Sequence, residues 1–144
     1  EPVIAVKLGG NATLADDSIA WKTERPSPVT SDVPTPLFYD GDFFVLSDVS
    51  KALTRVEPAT GKVKWTLQTP GSKKFEASPA GADGKIYLMN FAGDVVVVDA
   101  AKGEILHTAQ LGDSTDNETR SSIAISQGHL FVRTNSKLYC VGAK

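Results

Sequence analysis

The chain has 144 residues, a mass of 15.3 kDa, 15 basic and 17 acidic side chains and a formal charge of -2, the size of one domain that can bury a shared core. Apolar residues at 41% and charged residues at 22% exclude a disordered or low-complexity chain. The balanced charge, with no basic cluster longer than Lys73-Lys74, leaves no electrostatic footprint for nucleic acid.

In chain order, residues 1–7 lack the basic region, apolar core and cleavage site of a targeting leader, although a leader already removed would leave no trace. Residues 3–9 and 18–21 read as strands. The stretch from Pro26 to Pro36 holds four of the eight prolines and reads as an extended connector. Further β-rich runs follow at 43–46, 86–89, 94–99, 130–132 and 138–141. Between them stand Asp40-Gly41, Ala59-Thr60-Gly61, Asp83-Gly84, Ala92-Gly93 and Gln127-Gly128, where glycine reaches positive φ without a steric penalty. No stretch of roughly 10 to 12 residues has helical periodicity. The strongest apolar run, Val95-Val96-Val97-Val98, is far short of the roughly 20 residues of a membrane-spanning helix. The class is all-β.

The runs repeat. Thr35-Pro36-Leu37, Ser78-Pro79-Ala80 and Ser121-Ser122-Ile123 begin 43 residues apart, and the turn glycines Gly41, Gly84 and Gly128 follow at separations of 43 and 44. Residues 60–65 (Thr-Gly-Lys-Val-Lys-Trp) match residues 102–107 (Lys-Gly-Glu-Ile-Leu-His) at an offset of 42, and Trp21 precedes Trp65 by 44. Four antiparallel strands in about 43 residues is the signature of a β-propeller blade. A sandwich with evenly spaced strands is the alternative, but four landmarks keeping one period favour the propeller. A single blade cannot bury both faces, so neighbours stack and share a core. Thr35, Ser78 and Ser121 suit the crowded inner strand, and a tryptophan on the outermost strand can cover the seam.

These repeats resemble the blades of the pyrroloquinoline-quinone-like (PQQ-like) β-propeller family, whose tryptophan-docking pattern is approximately Ala-x-Asp-x-x-Thr-Gly-Lys-x-x-Trp. Thr60, Gly61, Lys62 and Trp65 match it, with Arg55 and Glu57 in place of Ala and Asp. In the next copy Asp99 and Gly103 match, while Lys102, Glu104 and His107 depart. The resemblance implies structural docking roles for Trp21, Trp65, Gly61, Gly103 and His107, with His107 packed in a seam. It divides the single domain, 1–144, into the last strands of a preceding blade (1–24), two blades (33–67 and 75–110) and an incomplete last blade (120–142). The ending Leu138-Tyr139-Cys140-Val141-Gly142 resembles the C-terminal blade of secreted bacterial members, which places Lys144 near a natural terminus and the protein in the periplasm or outside the cell.

About 3.3 units of 43 residues cannot close a ring of the usual four to eight blades. The expected partner is therefore a second copy, whose 18–21 strand completes the last blade to give about six blades, or the remaining blades of a longer parent.

Catalytic chemistry finds little support. Quinoprotein members of the family use adjacent cysteines, a stacking tryptophan, calcium ligands and an aspartate base. Here Cys140 is alone, which also excludes an intrachain disulfide and a multi-thiolate metal site, and it reads as a buried small hydrophobe. PQQ and calcium are not expected as cofactors. His129 reads as exposed. The segment 113–118 and the pairs Asp16-Asp17 and Asp40-Gly41-Asp42 read as solvated loops and turns, with no EF-hand spacing. Phe38-Tyr39 and Phe43-Phe44 read as core or seam aromatics, although exposed aromatics would also suit a carbohydrate. Asn11-Ala12-Thr13 and Asn117-Glu118-Thr119 are glycosylation-type triplets that matter only in a eukaryotic secretory setting. The expectation is a non-catalytic binding or scaffold module that recognises a protein or peptide, like the family's outer-membrane scaffolds. The alternative is a remnant of a PQQ-dependent oxidoreductase.

Overall fold

The computed structural model describes residues 2–9, 13 and 15–142. Strands β1 (Ile4–Val6) and β2 (Ile19–Lys22) form a two-stranded sheet, with a 3-10 turn at Asp16–Ser18 between them. Strands β3 (Leu37–Tyr39), β4 (Asp42–Ser47), β5 (Ala52–Val56) and β6 (Val63–Gln68) make a four-stranded antiparallel meander. The pattern repeats in β7 (Ala80–Ala82), β8 (Lys85–Met89), β9 (Asp94–Asp99) and β10 (Ile105–Gln110). A three-stranded sheet, β11 (Ala124–Ser126), β12 (His129–Arg133) and β13 (Leu138–Gly142), follows. These are the blades of a partial β-propeller.

The first hairpin of each later sheet closes through Asp40-Gly41, Asp83-Gly84 or Gln127-Gly128. Every one of these six residues has positive φ, from 49° to 78°, the turn geometry whose twist matches that of the flanking strands. Asp42, expected in the first of these turns, is instead the first residue of β4 and is buried.

Alternation along each central strand sends neighbouring residues to opposite seams. Ile86, Leu88, Val96 and Val98 join Phe44, Leu46 and Leu53 in the core between the first two full sheets. Tyr87, Met89 and Val95 turn the other way and meet Ile123 and Val132 of the last sheet. The four-valine run is apolar throughout because both of its faces are buried. A smaller core, Val29, Val45 and Val56, is covered by Val3, Trp21 and Phe43 from the two-stranded sheet and β4.

The inner strands are tied at their entrances. The Thr35 N–H donates to Ser78 Oγ at 2.9 Å, and the Ser78 N–H donates to Ser122 Oγ at 3.1 Å. Ser122, rather than Ser121, therefore continues the series, because the last repeat carries one extra residue before its inner strand.

The two ends of the array are apolar. Phe38 of β3 is 61% exposed on the side of the two-stranded sheet, and Leu138 of β13 is 71% exposed at the other end. Cys140 corrects the expectation of a buried thiol. It is exposed, because β13 is an edge strand with no further strand beyond it among the described residues. Asn117 is exposed, whereas Asn11, Ala12 and Lys144 lie outside the described residues.

Candidate binding site

The docking residues meet across seams. Gly61 sits in the turn between β5 and β6 at φ +73°, and a Cβ there would lie 2.7 Å from the Trp21 ring. The Trp21 Nε1–H donates to the Pro58 carbonyl at 2.7 Å. One sheet later the arrangement recurs. A Cβ on Gly103 would lie 2.6 Å from the Trp65 ring, and Trp65 Nε1–H donates to the Ala100 carbonyl at 3.3 Å. Each indole thus lies on the glycine of the following blade, where only a residue without a side chain and tolerant of positive φ fits. His107 departs from this. It is exposed on β10, and its side chain makes no hydrogen bond or ring contact among the described residues.

Beside Trp65 lies a charged group that the sequence pattern did not single out. Asp42 is 2% exposed. Its Oδ2 accepts from Arg55 Nε at 2.6 Å and from Lys64 Nζ at 2.8 Å, and Arg55 Nη1 donates across the seam to the Ala100 carbonyl at 2.8 Å. Burial alone would push the Asp42 carboxyl up. The hydrogen bonds and charges of Lys64 and Arg55 outweigh it and hold the group below its ordinary value. The Arg55 guanidinium also lies 5.6 Å from the Phe44 ring centroid. The departure of Arg55 from the family's alanine was the one available signal. Its partner Asp42, 13 positions before Arg55, could be found only through strand pairing.

A groove of about 610 Å³ opens between the two-stranded sheet and the first full blade. Five successive residues, Val3 to Lys7, form one wall; Phe43 and Val45 stand opposite. Alternate side chains of a strand point to opposite faces, so a wall made of all five is the edge of β1 itself. Among the described residues strand β1 pairs only with β2, and the one further bridge there is between Pro2 and Thr30. The lining is almost wholly apolar, with Lys7 at one end.

The family profile described as outer membrane protein assembly factor BamB matches residues 4–144. The chain belongs to this PQQ-like repeat family. Among solved structures it is similar to BamB from Moraxella catarrhalis, with a TM-score of 0.65 and 17% identity over 83% of this chain and 34% of that one. It is also similar to the quinohemoprotein alcohol dehydrogenase from Comamonas testosteroni, with a TM-score of 0.59 and 20% identity over 75% of this chain and 18% of that one. The computationally designed protein Ika8 gives a TM-score of 0.65 at 14% identity, over 85% of this chain and 36% of that one. The chain therefore spans about a third of the BamB chain it matches. No curated protein matches it significantly.

Within this PQQ-like family some members are dehydrogenases, so the residues here can be tested for fit to a quinone centre with calcium. Among the described residues no group of three or more His, Cys, Asp or Glu is placed to hold a metal ion. The acidic segment between β10 and β11 is committed internally. Asp116 is buried, with Oδ1 accepting from the Asn135 N–H at 2.7 Å and Oδ2 from the Asp113 N–H at 2.8 Å. It is thus a structural cap, not the wholly solvated loop expected. Asp113 is held down to about 2 by the Thr115 hydroxyl and N–H and by Lys137. His129 is exposed, its Nδ1 2.8 Å from the Gln127 carbonyl. These residues do not fit the group. Among the described residues no helix is long and apolar enough to cross a membrane.

Proposed function

We propose that the chain is a non-catalytic β-propeller module that binds a protein or extended peptide in an extracytoplasmic setting. The observation that carries this reading is the edge of β1 that no strand covers among the described residues, beside the apolar groove of about 610 Å³. An open edge offers unpaired N–H and C=O groups, so an extended peptide adds as a further strand while alternate side chains enter the groove. The family's description names an outer membrane protein assembly factor, which supports both the setting and the handling of other polypeptides.

The strands that lie in this groove in a closed ring come from a second copy or from further blades of a longer chain. Both end faces are apolar, as such contacts require. In the self-completed form the ring has about six blades.

The test combines light scattering over a dilution series with amide-shift mapping on addition of an alternating valine–threonine peptide. A mass of about twice 15.3 kDa supports completion by a second copy; a monomer at all concentrations overturns that part. Shifts confined to residues 3–7 and 43–45, lost in Val6→Asp, support strand addition. No shift there overturns the peptide reading. Quinone absorbance retained after desalting from PQQ and calcium would overturn the non-catalytic reading.

A further inference from the structure

The repeat allows the two seams between sheets of three or more strands to be compared position by position. Register aligns Tyr39 with Ala82, Gly81 with Ile125, Gly84 with Gly128 and Phe44 with Tyr87. In the first seam the Tyr39 ring lies on Gly81, where a Cβ would come within 2.8 Å of it, and the Tyr39 hydroxyl accepts from the Gly84 N–H at 2.8 Å. In the second seam the tyrosine is replaced by Ala82. Ile125 refills part of the ring's space, and a hollow of about 230 Å³ remains, lined by Ala82, Tyr87, Ile125, Gly128 and Leu130 among others.

We propose that this hollow binds a single phenolic ring, whose hydroxyl accepts from the Gly128 N–H as Tyr39 does from Gly84 and shares a second hydrogen bond with Tyr87. Three observations support it. The Gly128 N–H makes no hydrogen bond among the described residues. Tyr87 lines the hollow and is 9% exposed, and its hydroxyl, open to solvent, makes no hydrogen bond among the described residues and so is available to a ligand. Burial, and then the negative charge of Asp83, push the Tyr87 phenol up, so it remains a donor at neutral pH. Finally, the volume suits one ring. A cavity of about 150 Å³ takes up benzene, whereas drug-sized ligands occupy roughly 300 Å³ or more.

The probe is p-cresol, with toluene as its counterpart lacking the hydroxyl, titrated into the 15N-labelled chain. The expected result is saturable p-cresol shifts centred on Ala82, Ile125 and the Gly128 amide, with toluene weaker by about tenfold. Tyr87→Phe removes one hydroxyl on a scaffold that already holds phenylalanine at the equivalent place, and is expected to weaken p-cresol by several-fold but not toluene. The pair Ala82→Tyr with Ile125→Gly rebuilds the first seam's arrangement and is expected to abolish binding. Equal affinity for both probes, insensitivity to Tyr87→Phe, or shifts centred on the β1 groove would each overturn the assignment. A peptide result at β1 is read at different amides, so this site and the groove fail independently.

Discussion

The seam between the first two full blades and the seam that follows it are built from the same strands and are clasped differently. The first is held at its outer edge by Trp65 on Gly103, at its inner edge by Tyr39 on Gly81 and Gly84, and between them by Arg55 reaching the Ala100 carbonyl from its ion pair with Asp42. In the second seam those places hold His107, Ala82, Val97 and Lys85. Closure passes instead to the segment 111–120. Tyr139 donates to the Leu111 carbonyl at 2.6 Å, Asp116 caps Asn135, and the Thr119 N–H donates to the Phe91 carbonyl at 3.0 Å. The backbone period fixes where a seam runs. The long side chains that cross it decide how tightly it closes and whether it leaves a hollow.

The largest effect expected on this contrast comes from the docking glycines. Gly103→Ala combines positive φ with a Cβ 2.6 Å from the indole, whereas Gly128→Ala, at φ +74°, has open space. Urea denaturation should show a loss of about 4 kcal/mol for the first and about 1 kcal/mol for the second, the difference being the clash with Trp65. Equal losses would mean that backbone strain, not ring contact, accounts for the glycine. Next, Trp65→Ala should cost about 3 kcal/mol and His107→Ala less than about 0.5 kcal/mol in the same assay. A large effect at His107 would break the distinction between the clasped and the open outer edge.

Asp42→Asn sharpens the middle of the comparison. At neutral pH it should cost about 2 kcal/mol, because Arg55 loses its buried counter-charge. The native carboxyl is held below its ordinary value. Its contribution is therefore present above the unfolded pKa of about 3.9 and is lost as pH falls through the lower folded value. The gap between wild type and Asp42→Asn should accordingly narrow as denaturation is followed below pH 4. A gap that stays constant would show that the carboxylate's charge contributes nothing. Tyr39→Phe should cost about 1 kcal/mol in urea denaturation, for the hydrogen bond to Gly84 with the ring left in place.

Much of the fold could be read from the chain alone, because a blade is a local object. The Asp-Gly and Gln-Gly pairs close two-residue hairpins, and the 43-residue period sets the sheets. Trp65, Gly61 and Gly103 could be picked out because each lies in a short repeated motif, and Trp21 because it precedes Trp65 by 44 residues. The groove at β1 could be read only as missing strands, without its shape. The charged group at Asp42 was legible only in the departure at Arg55, since the same Asp-Gly-Asp triplet that signals a turn also starts β4 and places its last carboxylate beside Arg55 and Lys64.

What the sequence determined by itself was therefore the sheet order, the turn geometry and the two-sided burial of strands such as β9, all of which follow from residues near one another in the chain. The tertiary structure decided which ring rests on which glycine about 40 residues away. It also decided that His107 and Cys140 face outward and that Ser122 takes the place expected for Ser121. Only the structure shows a hollow where Tyr39 has no counterpart. The physical reason is the same each time: a seam is made by two blades at once, so its packing depends on pairs of positions that periodicity aligns but does not bring into contact.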